Sequence, residues 1–227
     1  MSDFESKKYG HYIEGVDYFD ESQEITIFNP STGRSIGKIL SASEKTIDKA
    51  VSSSLMAFEK WKETSLSKRV AILFKYKFLF KENIEKIAEL ICIDLGKTIT
   101  DAKGEVRRGI ENVEYACGIA NALKGEHNKS ISTSIDTWSQ FEPLGLVVGI
   151  TPFNFPAMVP LWMFPLAIAA GNSFILKPSE KDPIATLFLA KLFTQAGLPN
   201  GVLNVLNGDK SVAENLINNK YVKAIRF

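Results

Sequence analysis

The sequence predicts an α/β protein built on a doubly wound parallel sheet, preceded by helices and an extended β arm. Three observations predict it. From Pro143 to Phe227, buried-type strands alternate with helices, the pattern of βαβ units in a parallel sheet. Between Ser43 and Ala120, apolar residues recur at helical spacing. Residues 128–142 between these regions are polar and β-branched, with Ile131 and Ile135 on one parity and Trp138 on the other. That two-sided pattern suits an arm packing on another subunit better than a core strand. The expected division is therefore residues 1–127, strands and helices packing on the sheet domain; 128–142, the arm; and 143–227, the α/β core.

Each element has a local reason. Residues 24–40 read as two short strands around Asn29-Pro30-Ser31-Thr32-Gly33, where Pro and Gly mark a turn. Ser43 is placed to cap a helix carrying Ile47, Ala50, Val51, Leu55 and Phe58 on one face. A second helix begins near Ser67, and a third carries Ile84, Ile87, Ala88, Ile91 and Leu95. Gly96-Lys97-Thr98 ends the third. A fourth helix sets Val106, Ile110, Val113, Cys117 and Ala120 on one stripe. The core then reads as strand 144–151, helix 158–170, strand 173–176 and a helix starting at Asp182-Pro183. Asp suits the N-cap there and Pro the first helical position. Strand 203–206, helix 211–218 and strand 221–227 complete the run.

The chain has 227 residues, 45% of them hydrophobic, enough for a sizeable core. Its 27 basic and 26 acidic residues leave a net charge of +1, which argues against a nucleic-acid partner. Two cysteines make no disulfide framework and suit a reducing compartment. No apolar run reaches the roughly 18 residues of a membrane span, and Met1–Lys8 resembles neither a signal nor a transit peptide. A cytoplasmic protein is expected.

Several residues carry possible chemistry. Asn154 lies between Pro152 and Pro156, just past a buried strand, so its turn is stiff. A side-chain amide held there can donate to a developing oxyanion without reorganising, or it can satisfy its own turn. Lys177 and Glu180 flank Pro178-Ser179 at the end of the next strand. They can contact ribose hydroxyls, as an acidic residue does in dinucleotide folds, or form a surface ion pair. Arg107 can pair with Glu111 on its helix. Arg108 faces Asn112 at that spacing and has Glu105 within reach; its fork can clamp a carboxylate or simply be solvated. Cys92 and Cys117 read as core residues, and His11 and His127 show no metal-ligand spacing. Gly96-Lys97-Thr98 lacks the upstream glycine of a P-loop, and no G-x-G-x-x-G is present.

Taken together, Asn29–Gly33, Gly96-Lys97-Thr98, Pro143-Leu144-Gly145, Asn154-Phe155-Pro156, Gly171-Asn172 and Lys177-Pro178-Ser179-Glu180 resemble, in order, the aldehyde dehydrogenase superfamily. Phe153–Met158 with Leu161-Trp162-Met163-Phe164-Pro165, and Ala102–Gly109 with Val113–Ala116, resemble its CoA-acylating methylmalonate-semialdehyde subgroup. The resemblance implies a Rossmann-like cofactor domain and oxidation of a small-molecule semialdehyde. A cysteine thiolate adds to the carbonyl, Asn154 and a backbone N–H hold the oxyanion, and hydride passes to NAD. CoA then takes the acyl group, with loss of carbon dioxide. Thr151, Phe153, Lys177, Glu180 and Lys181 match cofactor-contacting positions, although position 181 is commonly Arg in the subgroup. Arg108 matches a position for the substrate carboxylate, and the arm implies a homo-oligomer. The family's nucleophilic Cys, general-base Glu and glycine-rich turn fall beyond Phe227, so the chain by itself is expected to be inactive. A dehydrogenase of another semialdehyde using water as acyl acceptor, or a non-catalytic remnant pairing with intact subunits, are the alternatives.

Overall fold

The computed structural model describes residues 7–227; the expectation for the N-terminal segment falls largely on residues outside that range. The first elements are β1 (Lys8–Tyr9), β2 (His11–Ile13), β3 (Val16–Tyr18), β4 (Glu24–Phe28) and β5 (Ser35–Leu40). Four helices follow: α1 (Glu44–Trp61), α2 (Leu66–Glu82), α3 (Ile84–Leu95) and α4 (Ile99–Cys117). The arm is a hairpin of β6 (His127–Ser132) and β7 (Ile135–Trp138). The core runs β8 (Leu146–Ile150), α5 (Met158–Ala169), β9 (Ser173–Lys177), α6 (Ile184–Gln195), β10 (Leu203–Val205), α7 (Lys210–Ile217) and β11 (Val222–Arg226).

Helix ends follow the local chemistry. The Ser43 hydroxyl accepts from the Thr46 N–H at 3.2 Å, and that of Thr98 from the Asp101 N–H at 3.2 Å, each satisfying an orphan donor. Gly96 takes φ 78° at the end of α3, the left-handed cap that a residue with a Cβ resists. Helix α4 buries Val106, Ile110, Val113 and Cys117 as expected, but it ends at Cys117. Ala120 therefore lies in a 3₁₀ turn and is exposed, off the predicted stripe.

The main sheet has the order β11-β8-β9-β10-β2-β3. β8, β9, β10 and β11 are mutually parallel, as predicted, and β2 adds antiparallel to β10. Its alternation sorts the core into two layers. Leu146, Val148 and Ile175 face a cluster with Ile47, Ala50 and Val51 of α1 and Val212 and Leu216 of α7. Val147, Phe174, Leu176, Leu203 and Val205 face α2, α4, α5 and α6. There Tyr76 stacks on Phe193 with ring centroids 4.2 Å apart, a pair worth about 1 kcal/mol beyond its buried area. Gly149 is needed for close approach: a Cβ there would come within 2.6 Å of the Phe174 ring and 3.1 Å of Met163 Sδ.

β1, β2 and β3 were not expected from the sequence. Two or three residues are too few for a period to show, and β2 owes its place to partners far along the chain. The His11 Nδ1 accepts from the Asn207 N–H at 3.1 Å, and Asn207 Nδ2 donates to the Gly10 carbonyl at 2.7 Å. Burial pushes the His11 imidazole down to about 4 against the pull of Asp20, so it serves as a neutral acceptor.

The start of α6 corrects one expectation. Asp182 does not cap it. Asp94 of α3 does, its Oδ2 accepting from the Ile184 N–H at 2.7 Å. Asp182 is instead 1% exposed, and burial pushes its carboxyl up to about 8, with Glu105 and Glu180 acting in the same direction and a Ser179 hydrogen bond opposing them. Burial, then Asp182, likewise raises Asp94. The sign follows from proton counting. Between about pH 4 and pH 8 the folded state holds a proton on Asp182 that the unfolded state releases, so stability falls as pH rises through that window. Asp182→Asn should remove this slope. Urea unfolding should show a gain over wild type that grows from pH 5 to pH 8, on the order of a few kcal/mol. A gain independent of pH would mean that Asp182 is ionised in the folded state.

Candidate functional site at the strand carboxyl ends

The chain steps from β8 to β9 to β10 in one direction, then returns to place β11 on the other side of β8. That reversal is a switch point at the carboxyl ends of β8 and β11, the kind of place where open α/β sheets take their ligands. Residues 151–157 leave β8 at this point. Thr151 is buried and its N–H donates to the Lys177 carbonyl at 3.1 Å, tying the turn to the end of β9. Phe153 and Asn154 are exposed. The Asn154 amide makes no hydrogen bond among the described residues, so it does not serve its own turn.

The turn is held from outside. The Thr186 hydroxyl of α6 donates to the Pro156 carbonyl at 2.7 Å. Glu105 of α4 accepts from the Ala157 and Met158 N–H groups at 2.8 and 3.1 Å, and its other oxygen lies 2.6 Å from Lys97 Nζ. Lys97 Nζ sits 4.0 Å from the centroid of the Phe155 ring. This changes two sequence expectations. Glu105 is engaged with α5 and Lys97 and is no partner for Arg108, and Arg107 forms no ion pair with Glu111 among the described residues. Both arginines are exposed. Arg108 receives an Asn112 Nδ2 hydrogen bond on its carbonyl, and its guanidinium has no partner among the described residues.

At the end of β9, Lys177 Nζ lies 3.4 Å from Glu180 Oε2, with side-chain exposures of 5% and 37%. A lysine this buried is not half of a surface ion pair. Burial lowers its pKa, opposed by Glu180 and by Asp209 at the start of α7. Lys181 Nζ stands 4.8 Å from the Phe153 ring centroid, so β8 and β9 meet again through a cation–π contact. A cavity of about 560 Å³ borders Phe153, Glu180, Lys181, Asp94 and strand β4, but Thr151, Asn154 and Lys177 do not line it. The predicted residues therefore form an open rim along two strand ends, with Arg108 apart on α4. Cys92 and Cys117 are both raised by burial, which fits a core role and not that of a nucleophile. Among the described residues no group of His, Cys, Asp and Glu can hold a metal ion, and no helix is long and apolar enough to cross a membrane.

Sequence reasoning missed Glu105, Lys97 and Asp94 as supports of this rim. A signal for Glu105 was available: α5 has Ala157 at its cap position and no side-chain cap of its own, so its donors had to be met by another element.

The sheet order and the helices on both of its faces define a doubly wound α/β protein whose strand order reverses between β8 and β11. The chain belongs to the aldehyde dehydrogenase family, whose model matches residues 18–227. It is 52% identical to a malonate-semialdehyde dehydrogenase of Pseudomonas aeruginosa over 217 residues, 96% of this chain and 44% of that protein. The crystal structure of a methylmalonate-semialdehyde dehydrogenase from Oceanimonas doudoroffii superposes with a TM-score of 0.94 at 48% identity, covering 96% of this chain and 45% of that one. An enzyme assigned as a methylmalonate-semialdehyde dehydrogenase from Sinorhizobium meliloti 1021, solved with NAD, gives 0.95 at 41%, covering 97% and 45%. The chain thus spans less than half the length of these relatives.

Proposed function

We propose that this chain forms the cofactor-side portion of an NAD-dependent, CoA-acylating dehydrogenase of malonate or methylmalonate semialdehyde. The observation that carries the reading is the exposed, unbonded amide of Asn154 on a turn braced at the switch point. An N–H donor fixed before the reaction stabilises a tetrahedral oxyanion without reorganisation. The reaction also needs a thiolate, for which the raised and inward Cys92 and Cys117 are unsuited. Arg108, with its free fork, holds the substrate carboxylate bidentately. The net reaction balances as semialdehyde, CoA and NAD giving acyl-CoA, carbon dioxide and NADH.

The residues at the β9 end fit a dinucleotide. Lys177 is a buried cation, its bond to Glu180 is long enough to yield to a hydroxyl, and Glu180 is partly open. They would hold ribose hydroxyls, with Thr151, Phe153 and Lys181 lining the approach. NAD when bound supplies the hydride acceptor. The exposed hairpin β6–β7, with Ile131, Ile135 and Trp138 all open, suits packing against a second copy, and the near-zero net charge suits no nucleic acid.

The deciding experiment supplies the full-length protein with malonate or methylmalonate semialdehyde, NAD and CoA. Acetyl-CoA or propionyl-CoA should form in step with NADH. Formation of the free acid at a rate indifferent to CoA would favour water as acceptor, and no NADH with any aldehyde would leave a binding remnant.

A separate measurement addresses the cofactor pair. Lys177→Ala combined with Glu180→Ala should weaken NAD binding by about tenfold or more, because hydrogen bonds to charged groups contribute about 1.5–3 kcal/mol each. Unchanged affinity by calorimetry would reduce the pair to a tie between β9 and the loop after it.

A further inference from the structure

We propose that Lys97 and Glu105 are positioning residues that hold the Asn154 amide at its working orientation; the proposal rests on the reading of Asn154 as an oxyanion donor. Gly96-Lys97-Thr98 lacks the upstream glycine of a phosphate loop. In the fold it does something else.

Glu105 is a carboxylate whose side chain is 1% exposed. Such a group is costly to bury unless every oxygen is engaged. Here both are: Oε1 accepts two N–H groups at the start of α5, and Oε2 meets Lys97 at 2.6 Å. The helix end also favours negative charge. Lys97 in turn faces the Phe155 ring at 4.0 Å. Phe155 and Ala157 are respectively one and three residues from Asn154. The α3–α4 junction therefore fixes the chain just after the amide, while Thr186 fixes Pro156 between them. Helix α5 itself is secured by Leu161, Phe164, Pro165 and Ile168, all buried, so the clamp is not required to keep the helix in place. It sets the first turn. Displacement of a reacting or stabilising group by about 1 Å can cost about 10²-fold in rate, and supporting residues commonly decide that precision.

The test uses the full-length protein and reads kcat, the Kd for NAD and the melting temperature. Lys97 is at the edge, 21% exposed, so Lys97→Met leaves no large hole, but it strands the Glu105 carboxylate and should lower the melting temperature. It should lower kcat about tenfold, leave the Kd for NAD within about twofold, and be rescued by Lys97→Arg, which keeps a cation over the ring. Glu105→Gln, which keeps an acceptor for the two N–H groups but not the charge, should slow turnover by a smaller factor and serves if Lys97→Met folds poorly. The decisive arm is Lys97→Met with Asn154→Ala: acting through one donor, the pair should be no slower than Asn154→Ala alone. Multiplied losses in the double variant, or an unaltered kcat in Lys97→Met, would overturn the positioning role while leaving Asn154 as the donor. A neutral Asn154→Ala would overturn both.

Discussion

Asn154→Ala in the full-length protein should lower turnover by roughly 10²–10³ with little change in NAD affinity. That is the usual cost of losing one oxyanion donor, about 3–4 kcal/mol of transition-state stabilisation. The fold gives the reason for so large an effect. Asn154 is exposed and its amide is unbonded among the described residues, so truncation removes no internal hydrogen bond and should scarcely move the melting temperature. The turn around it is held by Thr186, Glu105 and Lys97, so the truncation should leave the backbone there in place. Single-turnover measurement, in which the chemical step is seen directly, is the appropriate readout. An unchanged rate there would return Asn154 to the role of an ordinary turn residue.

The second large effect is one of discrimination. Arg108→Leu should lower kcat/KM toward malonate or methylmalonate semialdehyde by about 10- to 10²-fold, the loss expected for about 1.5–3 kcal/mol of charge-assisted hydrogen bonding. Efficiency toward propanal, which carries no carboxylate, should hold or improve. The stability of the variant should be close to wild type, because Arg108 is exposed and its guanidinium has no partner among the described residues. Had Glu105 been its partner, as the helical spacing allowed, the same substitution would have stranded a buried carboxylate. Equal losses on both substrates would make Arg108 a structural residue of α4.

Most of the core was legible because its elements announce themselves locally. Val147 and Leu146 fall on opposite layers because a strand alternates, and Ser43 and Thr98 cap helices because a hydroxyl can reach a donor three residues on. Asn154, Lys177 and Glu180 are readable at strand ends for a related reason: ends of parallel strands lie on one edge of a sheet whatever the loop lengths; Thr151, Phe153 and Lys181 came only from the resemblance to the family. Where Asp182 was expected at a cap, the local rule lost to a tertiary partner, Asp94, ninety positions before the Ile184 N–H it accepts from. The same kind of partner explains β2, held by Asn207, which no window of three residues can foretell.

By itself, then, the sequence determined the parallel α/β core, the helical run before it, the exposed arm and the placement of Asn154 and Lys177 at strand ends. Periodicity and capping depend on neighbours within a few residues, and those are written in order along the chain. Only the tertiary structure decided which carboxylates are buried and what each one holds. Asp94, Glu105 and Asp182 look alike in sequence, yet one caps α6, one braces the Asn154 turn against Lys97, and one stays protonated up to about pH 8. The ionisation and hydrogen bonding of a buried carboxyl are set by desolvation and by groups brought from distant elements, and neither exists until the chain has folded.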